Sequence, residues 1–147
     1  MASLRETKAK QVQATSNCDV RTDALTRLLY ATDASIYQIE PSAVAFPRSV
    51  AETSTLLQAA SAEKLSVTGR GAGTGLAGGA VGDGLIIDFS RHNRGISDLN
   101  VEARTVRVEA GVVLDQLNAY LAPHGLRFGP DVATSSRATL GGMINNN

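Results

Sequence analysis

The sequence feature best suited to chemistry is a run of glycines in residues 70–80, which read Arg-Gly-Ala-Gly-Thr-Gly-Leu-Ala-Gly-Gly-Ala. Glycine has no Cβ, so backbone N–H groups in such a loop can approach a ligand closely. Successive N–H groups that face one way form a concave binding site for an anion, usually a phosphate. The loop lies between two short apolar runs, residues 65–68 and 85–89, that are typical of strands. We therefore expect residues 70–80 to hold a phosphate-bearing cofactor.

Two better-known phosphate-binding motifs do not fit this loop. Gly73, Gly75 and Gly78 have the G-x-G-x-x-G spacing of the Rossmann dinucleotide motif, but that motif needs a helix to begin inside it. Further glycines continue as far as Gly84, and each opposes a helix by about 1 kcal/mol relative to alanine. A P-loop needs a lysine at its end, and no lysine follows Lys64. A flexible linker is the remaining alternative, and the apolar strands on both sides argue against it.

The elements that must position the loop predict an α+β fold. Residues 49–52, Ser-Val-Ala-Glu, form a capping box that begins a helix after a short strand at residues 43–46. This helix should extend to about Lys64, and the strand that follows it, residues 66–68, leads into the glycine loop. Strand, helix and strand with short links indicate a βαβ unit, so these two strands should be parallel. The residues expected on the buried side of the helix are Val50, Leu56, Leu57 and Ala60.

The chain after the loop predicts a second group of elements. Residues 85–89 are the most apolar predicted strand, and residues 96–100 and 105–110 predict an antiparallel hairpin. A helix with leucines at helical spacing follows the hairpin and should end before Pro123, with Gly125 as its left-handed cap. The expected architecture is therefore a small mixed sheet, built from the βαβ unit and then the hairpin, with flanking helices.

The first part of the chain carries little structural signal. Residues 1–20 are polar, without clear periodicity, and predict a disordered tail. Leucines at helical spacing after Thr22 predict a short helix with that threonine as its N-cap. We therefore divide the chain into a tail, residues 1–20, and one domain, residues 21–147.

Composition excludes several classes of function. Lysines and arginines number 14, as do aspartates and glutamates, and tryptophan is absent, so we expect no nucleic-acid partner. No apolar run is long enough for a membrane span, and the first residues do not resemble a secretory signal. Cys18 is the only cysteine and the two histidines are far apart in sequence, so we expect neither a disulfide nor a metal site. A soluble, cytoplasmic protein is the expectation.

Two glycine-bearing segments together resemble a known family. The first is residues 70–79, and the second is residues 134–143, which read Thr-Ser-Ser-Arg-Ala-Thr-Leu-Gly-Gly-Met. Both look like the FAD-linked oxidases, which include the glycolate oxidase subunit and D-lactate dehydrogenase types and carry a flavin domain of the p-cresol methylhydroxylase kind. Residues 32–37 and 111–118 also resemble the family. The resemblance covers roughly residues 21–144.

The resemblance implies a flavin domain of two subdomains with FAD between them, of which this chain matches the first. In that family the first glycine loop cradles the FAD pyrophosphate through backbone N–H groups, and the later segment passes close to the flavin. The residues carried over to the FAD site are Gly71, Ala72, Gly73, Thr74, Gly75, Gly79, Ala80, Thr134, Thr139, Gly141 and Gly142. Arg70, which flanks the loop, is a further candidate, for contact with an anion. The implied function is FAD binding in a flavin-dependent dehydrogenase or oxidase of 2-hydroxy acids, of the D-lactate or glycolate type.

The sequence also departs from the family pattern. Asn145 stands where family members usually have a glycine, and the second subdomain and the substrate domain have no counterpart, so we expect a truncated or split copy. His92 and His124 lie outside any motif that resembles the family's catalytic base, and no catalytic residue is assigned. Two alternatives to an incomplete enzyme stay open: a non-catalytic cofactor-binding half that needs a separately encoded chain, and a decayed, inactive fragment.

Overall fold

The computed structural model describes residues 4–146, and a four-stranded mixed sheet lies at the centre of the first half. Its strands are β1 (Asp19–Arg21), β2 (Ala43–Phe46), β3 (Val67–Arg70) and β4 (Leu85–Asp88). The spatial order is β1-β2-β4-β3, with β1 antiparallel to β2 and both β2 and β3 parallel to β4. Every residue of β2 and β4 is buried, as expected for strands covered on both faces.

Three helices accompany this sheet: α1 (Leu4–Thr15), α2 (Ala24–Leu29) and α3 (Val50–Ala62). The predicted capping box begins α3, because Ser49 Oγ accepts a hydrogen bond from Glu52 N at 3.1 Å and Glu52 Oε2 accepts one from Arg48 N at 2.7 Å. The core on one face of the sheet is apolar, and it contains Ala9, Val12, Val20, Ala43, Ala45, Leu56, Ala60, Leu65, Leu85 and Ile87. A smaller cluster on the other face contains Val44, Phe46 and Ile86, with Tyr30 packed against it.

The second half of the chain has its own small core. An antiparallel hairpin of β5 (Ile96–Asn100) and β6 (Thr105–Val108) is followed by α4 (Leu114–Leu121), a single 3-10 turn and α5 (Leu140–Asn146). Gly125 lies just past the 3-10 turn with φ of 67°, so the predicted left-handed cap is confirmed. The buried members of this core are Val112, Leu117, Leu121 and Leu140. The predicted fold class, α+β with a small mixed sheet, an antiparallel hairpin and flanking helices, is confirmed, and the hairpin forms a separate two-stranded sheet.

The prediction of a disordered tail over residues 1–20 is wrong for its described part, residues 4–20, while residues 1–3 lie outside the described residues. Ala9 and Val12 lie one helical turn apart in α1 and are fully buried against the core that α3 also covers. Two small apolar residues among many polar ones give a weak periodic signal in the sequence. Only the packed structure shows that they are enough to hold α1 against the core. β1 then adds an edge strand to β2.

Three further predictions need correction. β2 and β3 run in the same direction, but β4 lies between them and pairs with both, because the chain returns to the sheet centre after the glycine loop. Two of the four residues expected on the buried side of α3 are exposed, Val50 at 85% and Leu57 at 45%. The N-cap of α2 is Asp23 rather than Thr22, since the Asp23 carboxylate accepts the hydrogen bond from Thr26 N at 2.9 Å.

Candidate functional site

The two glycine segments face each other across an open cavity of about 710 Å³. Its size lies within the usual range for ligand pockets, roughly 300–1,000 Å³. One wall consists of the end of β3 and the glycine loop that follows it, and its residues are Gly69, Gly71, Ala72, Gly73, Thr74, Gly75, Ala77, Gly79 and Ala80. The opposite wall consists of Phe128, Pro130, Val132, Thr134, Ala138, Thr139, Gly142, Met143, Ile144, Asn145 and Asn146.

Most backbone N–H groups of the glycine loop have no hydrogen-bond acceptor within the described part of the chain. Within residues 4–146, the N–H groups of residues 71–79 donate to no protein acceptor. The next N–H group, that of Ala80, donates a hydrogen bond to Asp33 Oδ2 at 3.3 Å. Gly73 and Gly78 have φ of 67° and 76°, a conformation that other residues adopt at a cost in strain. A Cβ at Gly79 would meet nothing within 4 Å, and at Gly75 nothing nearer than 3.8 Å. The loop therefore presents unpaired donors beside open space, which suits an anion.

Thr139 joins the two glycine segments. Its Oγ1 lies 2.1 Å from where a Cβ on Gly71 would stand and 3.2 Å from where one on Gly142 would stand, and only 3% of Thr139 is exposed. A β-bridge to Val113 holds the threonine, and Leu140 N donates to Val112 O at 2.8 Å. The close approach of residues 70–80 to the start of α5 therefore depends on the absence of a side chain at Gly71.

Two of the predicted site residues lie outside the cavity wall. Arg70 was expected to contact an anion, but its guanidinium donates to three backbone carbonyls, those of Tyr30, Thr32 and Ala80, at 3.4, 2.8 and 3.1 Å. Gly141 was expected near the cofactor, but it lies in α5 against the hairpin side, where an added Cβ would come within 2.8 Å of Ala110 Cβ. Both positions are filled by protein contacts.

Sequence reasoning missed most of the second wall. Phe128, Pro130 and Val132 line the cavity from an irregular segment that a bond from Phe128 N to Asn118 Oδ1, at 2.9 Å, ties to the rest of the fold. The partner lies ten residues earlier, in α4, so no local pattern predicts the contact. The apolar character of this segment was the only available signal.

Charged groups near the loop are arranged behind it. Burial opposes the ionisation of Asp33, but the hydrogen bonds from Ser35 and from Ala80 N, helped by the charge of Arg70, leave its pKa below the ordinary value. Tyr30 donates a hydrogen bond to the buried Asp88 carboxylate. Burial and this bond raise the pKa of Tyr30 well above its usual range. The phenol is therefore a neutral donor at physiological pH.

Other kinds of site have no support in the described part of the chain. Residues 4–146 contain no group of three or more histidine, cysteine, aspartate or glutamate side chains that could hold a metal ion. No helix within the same range has the length and apolar character needed to cross a membrane.

The fold and the cavity define a domain that holds a phosphate-bearing cofactor between two glycine segments. Comparison with protein-family models sharpens this class, because the model described as "FAD binding domain" matches residues 41–147. The chain belongs to this family, and FAD is its cofactor. The resemblance to FAD-linked oxidases is thereby confirmed, and the unpaired loop donors and open cavity fit a dinucleotide with its diphosphate.

Curated relatives extend the match to the region before residue 41. The chain is 49% identical over 130 residues to D-2-hydroxyglutarate dehydrogenase of Haemophilus influenzae, a match that covers 86% of this chain and 13% of that enzyme. The enzyme of the same name from Escherichia coli is 51% identical with the same coverage. Glycolate oxidase subunit GlcD of Bacillus subtilis is 37% identical over 125 residues, covering 82% of this chain and 26% of that subunit. The chain therefore spans about one-eighth of the length of the dehydrogenases it matches.

Solved structures share the fold at low sequence identity. Alkyldihydroxyacetonephosphate synthase superposes with a TM-score of 0.79 at 20% identity, over 92% of this chain and 28% of the synthase chain. p-Cresol methylhydroxylase superposes with a TM-score of 0.68 at 16% identity, over 86% of this chain and 26% of that one. The flavin domain of the p-cresol methylhydroxylase kind, expected from the sequence, is thus confirmed as the fold.

Proposed function

We propose that this chain is the diphosphate-holding part of an FAD-dependent dehydrogenase or oxidase that acts on 2-hydroxy acids. Bound FAD supplies the hydride acceptor in such enzymes. The observation that carries the proposal is the set of N–H groups in residues 71–79, which donate to no described protein acceptor and lie along an open cavity. Relatives named D-2-hydroxyglutarate dehydrogenase and glycolate oxidase subunit support this substrate class.

The proposed FAD contacts divide between the two walls. The diphosphate is bound by backbone N–H groups of Gly71, Ala72, Gly73, Thr74 and Gly75, and Gly79 and Ala80 complete the turn. Thr134, Thr139 and Gly142, on the facing wall, lie toward the flavin end. Hydrogen bonds to a charged acceptor contribute about 1.5–3 kcal/mol each, so a few in parallel suffice for a stable complex. No catalytic residue is proposed in this chain.

A titration of the purified chain tests FAD binding directly. We expect added FAD to lose fluorescence and to raise the thermal midpoint of the protein. Thr134→Val in the cavity wall should weaken binding, while Ala103→Val, in the exposed turn between β5 and β6, should leave it unchanged. A colourless protein that neither quenches FAD fluorescence nor shifts its midpoint would refute binding by this chain alone.

A second candidate is a cofactor-binding half that needs a separately encoded remainder of the enzyme. Two apolar side chains near the cavity favour it: Ile144, in the second wall, is 73% exposed, and Leu76, in the glycine loop, is 79% exposed. Apolar groups exposed beside a binding cavity are typical of a surface that another protein unit covers. Co-purification of a second chain that brings bound flavin would establish this candidate, and 2-hydroxy-acid dehydrogenase activity is then measured on the pair.

A decayed fragment is the third candidate. If the chain is a decayed fragment, the protein should aggregate and stay colourless even when its genomic neighbours are co-expressed.

We also propose a cytoplasmic location for this chain. It is tested by cell fractionation, in which the tagged chain should appear with cytoplasmic markers.

A further inference from the structure

The segment between α2 and β2 lies behind the glycine loop, on the side away from the cavity. Four of its residues, Tyr30, Thr32, Asp33 and Ala34, contact the loop or Arg70 directly, and we call them the brace. Three of them, Thr32, Asp33 and Ala34, belong to residues 32–37, a stretch that resembles the family and to which no role was assigned. The cavity is lined by other residues, so the brace does not touch the space where a ligand would lie.

Arg70 ties the brace to the end of the loop. Its Nη1 donates to Ala80 O at 3.1 Å and to Tyr30 O at 3.4 Å, and its Nη2 donates to Thr32 O at 2.8 Å. The planar guanidinium presents donors in a fixed fork, so one side chain can satisfy carbonyls from two separate segments. The loop therefore begins and ends at the same guanidinium, because Arg70 starts it and holds its last residue.

Asp33 makes a second bond to Ala80, and Ala34 holds a further point of the loop, Gly73. Ala34 N donates to Gly73 O at 2.9 Å, and Asp33 Oδ2 accepts a hydrogen bond from Ala80 N at 3.3 Å. The other oxygen of the carboxylate accepts from Ser35 N at 2.8 Å, which fixes its orientation. The brace thus bonds to the loop at Gly73 and at Ala80, and the N–H groups between those residues keep their freedom to bind a ligand.

Tyr30 anchors the brace to the sheet. Its hydroxyl donates to Asp88, the last residue of β4, which also accepts hydrogen bonds from Ser90 N and Ser90 Oγ at 2.6 and 2.7 Å. The Arg70 guanidinium carbon lies 5.1 Å from the centre of the Tyr30 ring, a distance typical of a cation–π contact. The chain of contacts therefore runs from the buried sheet through Tyr30 and Arg70 to the loop.

We propose that the brace, acting with Arg70, holds the glycine loop in the conformation that binds the FAD diphosphate, so that Asp33 and Arg70 are positioning residues for the cofactor. This inference rests on the proposed function, since it assigns a role toward the same cofactor. Preorganisation of a loop strengthens binding because the loop loses less conformational freedom when the ligand arrives. Neither residue contacts the cofactor.

Two conservative substitutions separate positioning from charge and from bulk. Asp33→Asn keeps the size of the side chain but leaves a single acceptor oxygen for the N–H groups of Ala80 and Ser35, so at least one of these two bonds is lost. Arg70→Lys keeps the positive charge but loses the fork that reaches three carbonyls. In each variant we expect amide hydrogen exchange at Ala34 and Ala80 to accelerate and the FAD dissociation constant to rise roughly tenfold or more.

The matched control is Val12→Ala, which removes volume from the fully buried core under α1. It should lower the thermal midpoint and leave both the FAD dissociation constant and the exchange at Ala80 unchanged. The inference is overturned if Val12→Ala weakens FAD binding as much as Asp33→Asn at an equal midpoint. It is also overturned if Arg70→Lys retains wild-type affinity, or if Ala80 loses protection while affinity stays within twofold.

NMR measurements on the chain without cofactor separate this inference from the proposed function. If the unmutated chain fails to bind FAD, the proposed function of this chain alone is wrong. The brace is then judged on the chain without cofactor, where NMR signals of residues 71–80 should be sharp and should broaden in Asp33→Asn. Unchanged signals in that variant would show that the brace does not hold the loop.

Discussion

The two glycine segments that face the cavity use glycine for different physical reasons. In residues 71–80 the backbone is irregular, Gly73 and Gly78 have positive φ, and a run of N–H groups lacks a protein acceptor within the described chain. In the second segment Gly141 and Gly142 lie inside α5 with helical backbone, and an added Cβ would approach Ala110 or Thr139. The first segment needs glycine for backbone conformation, for ligand access and, at Gly71, for packing against Thr139, whereas the second needs it for close packing alone.

This difference teaches that glycine density alone does not identify a binding loop. Sequence reasoning treated both segments as cofactor contacts, yet Gly141 packs against the hairpin side instead of lining the cavity. What distinguishes the first segment is a set of unpaired donors held open by contacts behind it. The predictions that follow test this distinction, in order of decreasing effect on the free energy of unfolding.

Gly78→Ala should cost the most stability. Its φ of 76° strains any other residue by about 1–3 kcal/mol, and the new Cβ would come within 2.6 Å of Tyr37 Cδ2. We expect the free energy of unfolding, measured with urea, to fall by about that amount. Gly79→Ala, one residue on, is the control, since its Cβ meets nothing within 4 Å. Equal losses in the two variants would contradict a conformational role for Gly78.

Gly141→Ala should cost less, because two effects oppose each other. The Cβ would stand 2.8 Å from Ala110 Cβ, and overpacking of this kind costs about 1–3 kcal/mol. Alanine in place of glycine also favours the helix by about 1 kcal/mol. We expect a net loss near 1 kcal/mol in urea unfolding, by the difference of these two ranges.

The FAD affinity of Gly141→Ala sharpens the comparison. Because Gly141 does not line the cavity, its substitution should change the dissociation constant far less than a substitution in the first loop. A large loss of FAD affinity at unchanged stability would return Gly141 to the cofactor site.

Gly75→Val should change stability little and binding strongly. Gly75 does not have positive φ, and the nearest atom to an added Cβ is Asn146 Nδ2 at 3.8 Å. We expect unfolding free energy within about 0.5 kcal/mol of the unmutated chain, as for a surface substitution. The side chain would occupy cavity space, so FAD titration should show at least roughly tenfold weaker binding. Unchanged affinity would remove this part of the loop from the site.

Alkaline pH should destabilise the protein through Tyr30, which lies behind the first segment. The folded state raises the pKa of Tyr30 above its ordinary value of 10.0, through burial and the bond to Asp88. The stabilisation is therefore complete below pH 10 and is lost as the pH rises through the folded pKa. Tyr30→Phe should flatten the fall of unfolding free energy above pH 10, whereas Tyr120→Phe, in exposed α4 surface, should not. A fall of the same steepness in Tyr30→Phe would exclude this tyrosine as the cause.

Local sequence patterns predicted much of the framework. The strand Ala43–Phe46, the hairpin strand Ile96–Asn100 and the cap at Gly125 occur where the pattern indicated them, because alternation, turn residues and capping are properties of neighbouring residues. The insertion of β4 between β2 and β3 was not predictable in this way. Strand order depends on which apolar faces meet, and that is a property of the whole sheet.

The site divides in the same manner. Residue type alone indicated that residues 71–80 would offer backbone donors, and ten of the twelve predicted site residues do line the cavity. The role of Arg70 was misjudged, because the carbonyls of Tyr30 and Thr32 that receive its hydrogen bonds are separated from it by forty and thirty-eight positions. From the sequence alone, a cationic side chain beside a glycine loop suggests contact with an anion, because its carbonyl acceptors elsewhere in the chain are not yet known.

The amino-acid sequence by itself determined most of the helices and strands between residues 22 and 122, the glycine loop and the family, since each follows from the types and spacing of residues close together in the chain. Only the tertiary structure decided that residues 4–21 pack onto the core, that Phe128 and Pro130 complete the cavity, and that Arg70 holds the loop instead of facing it. The physical reason is that burial and hydrogen-bond satisfaction depend on partners distant in sequence, and those partners exist only once the chain has folded.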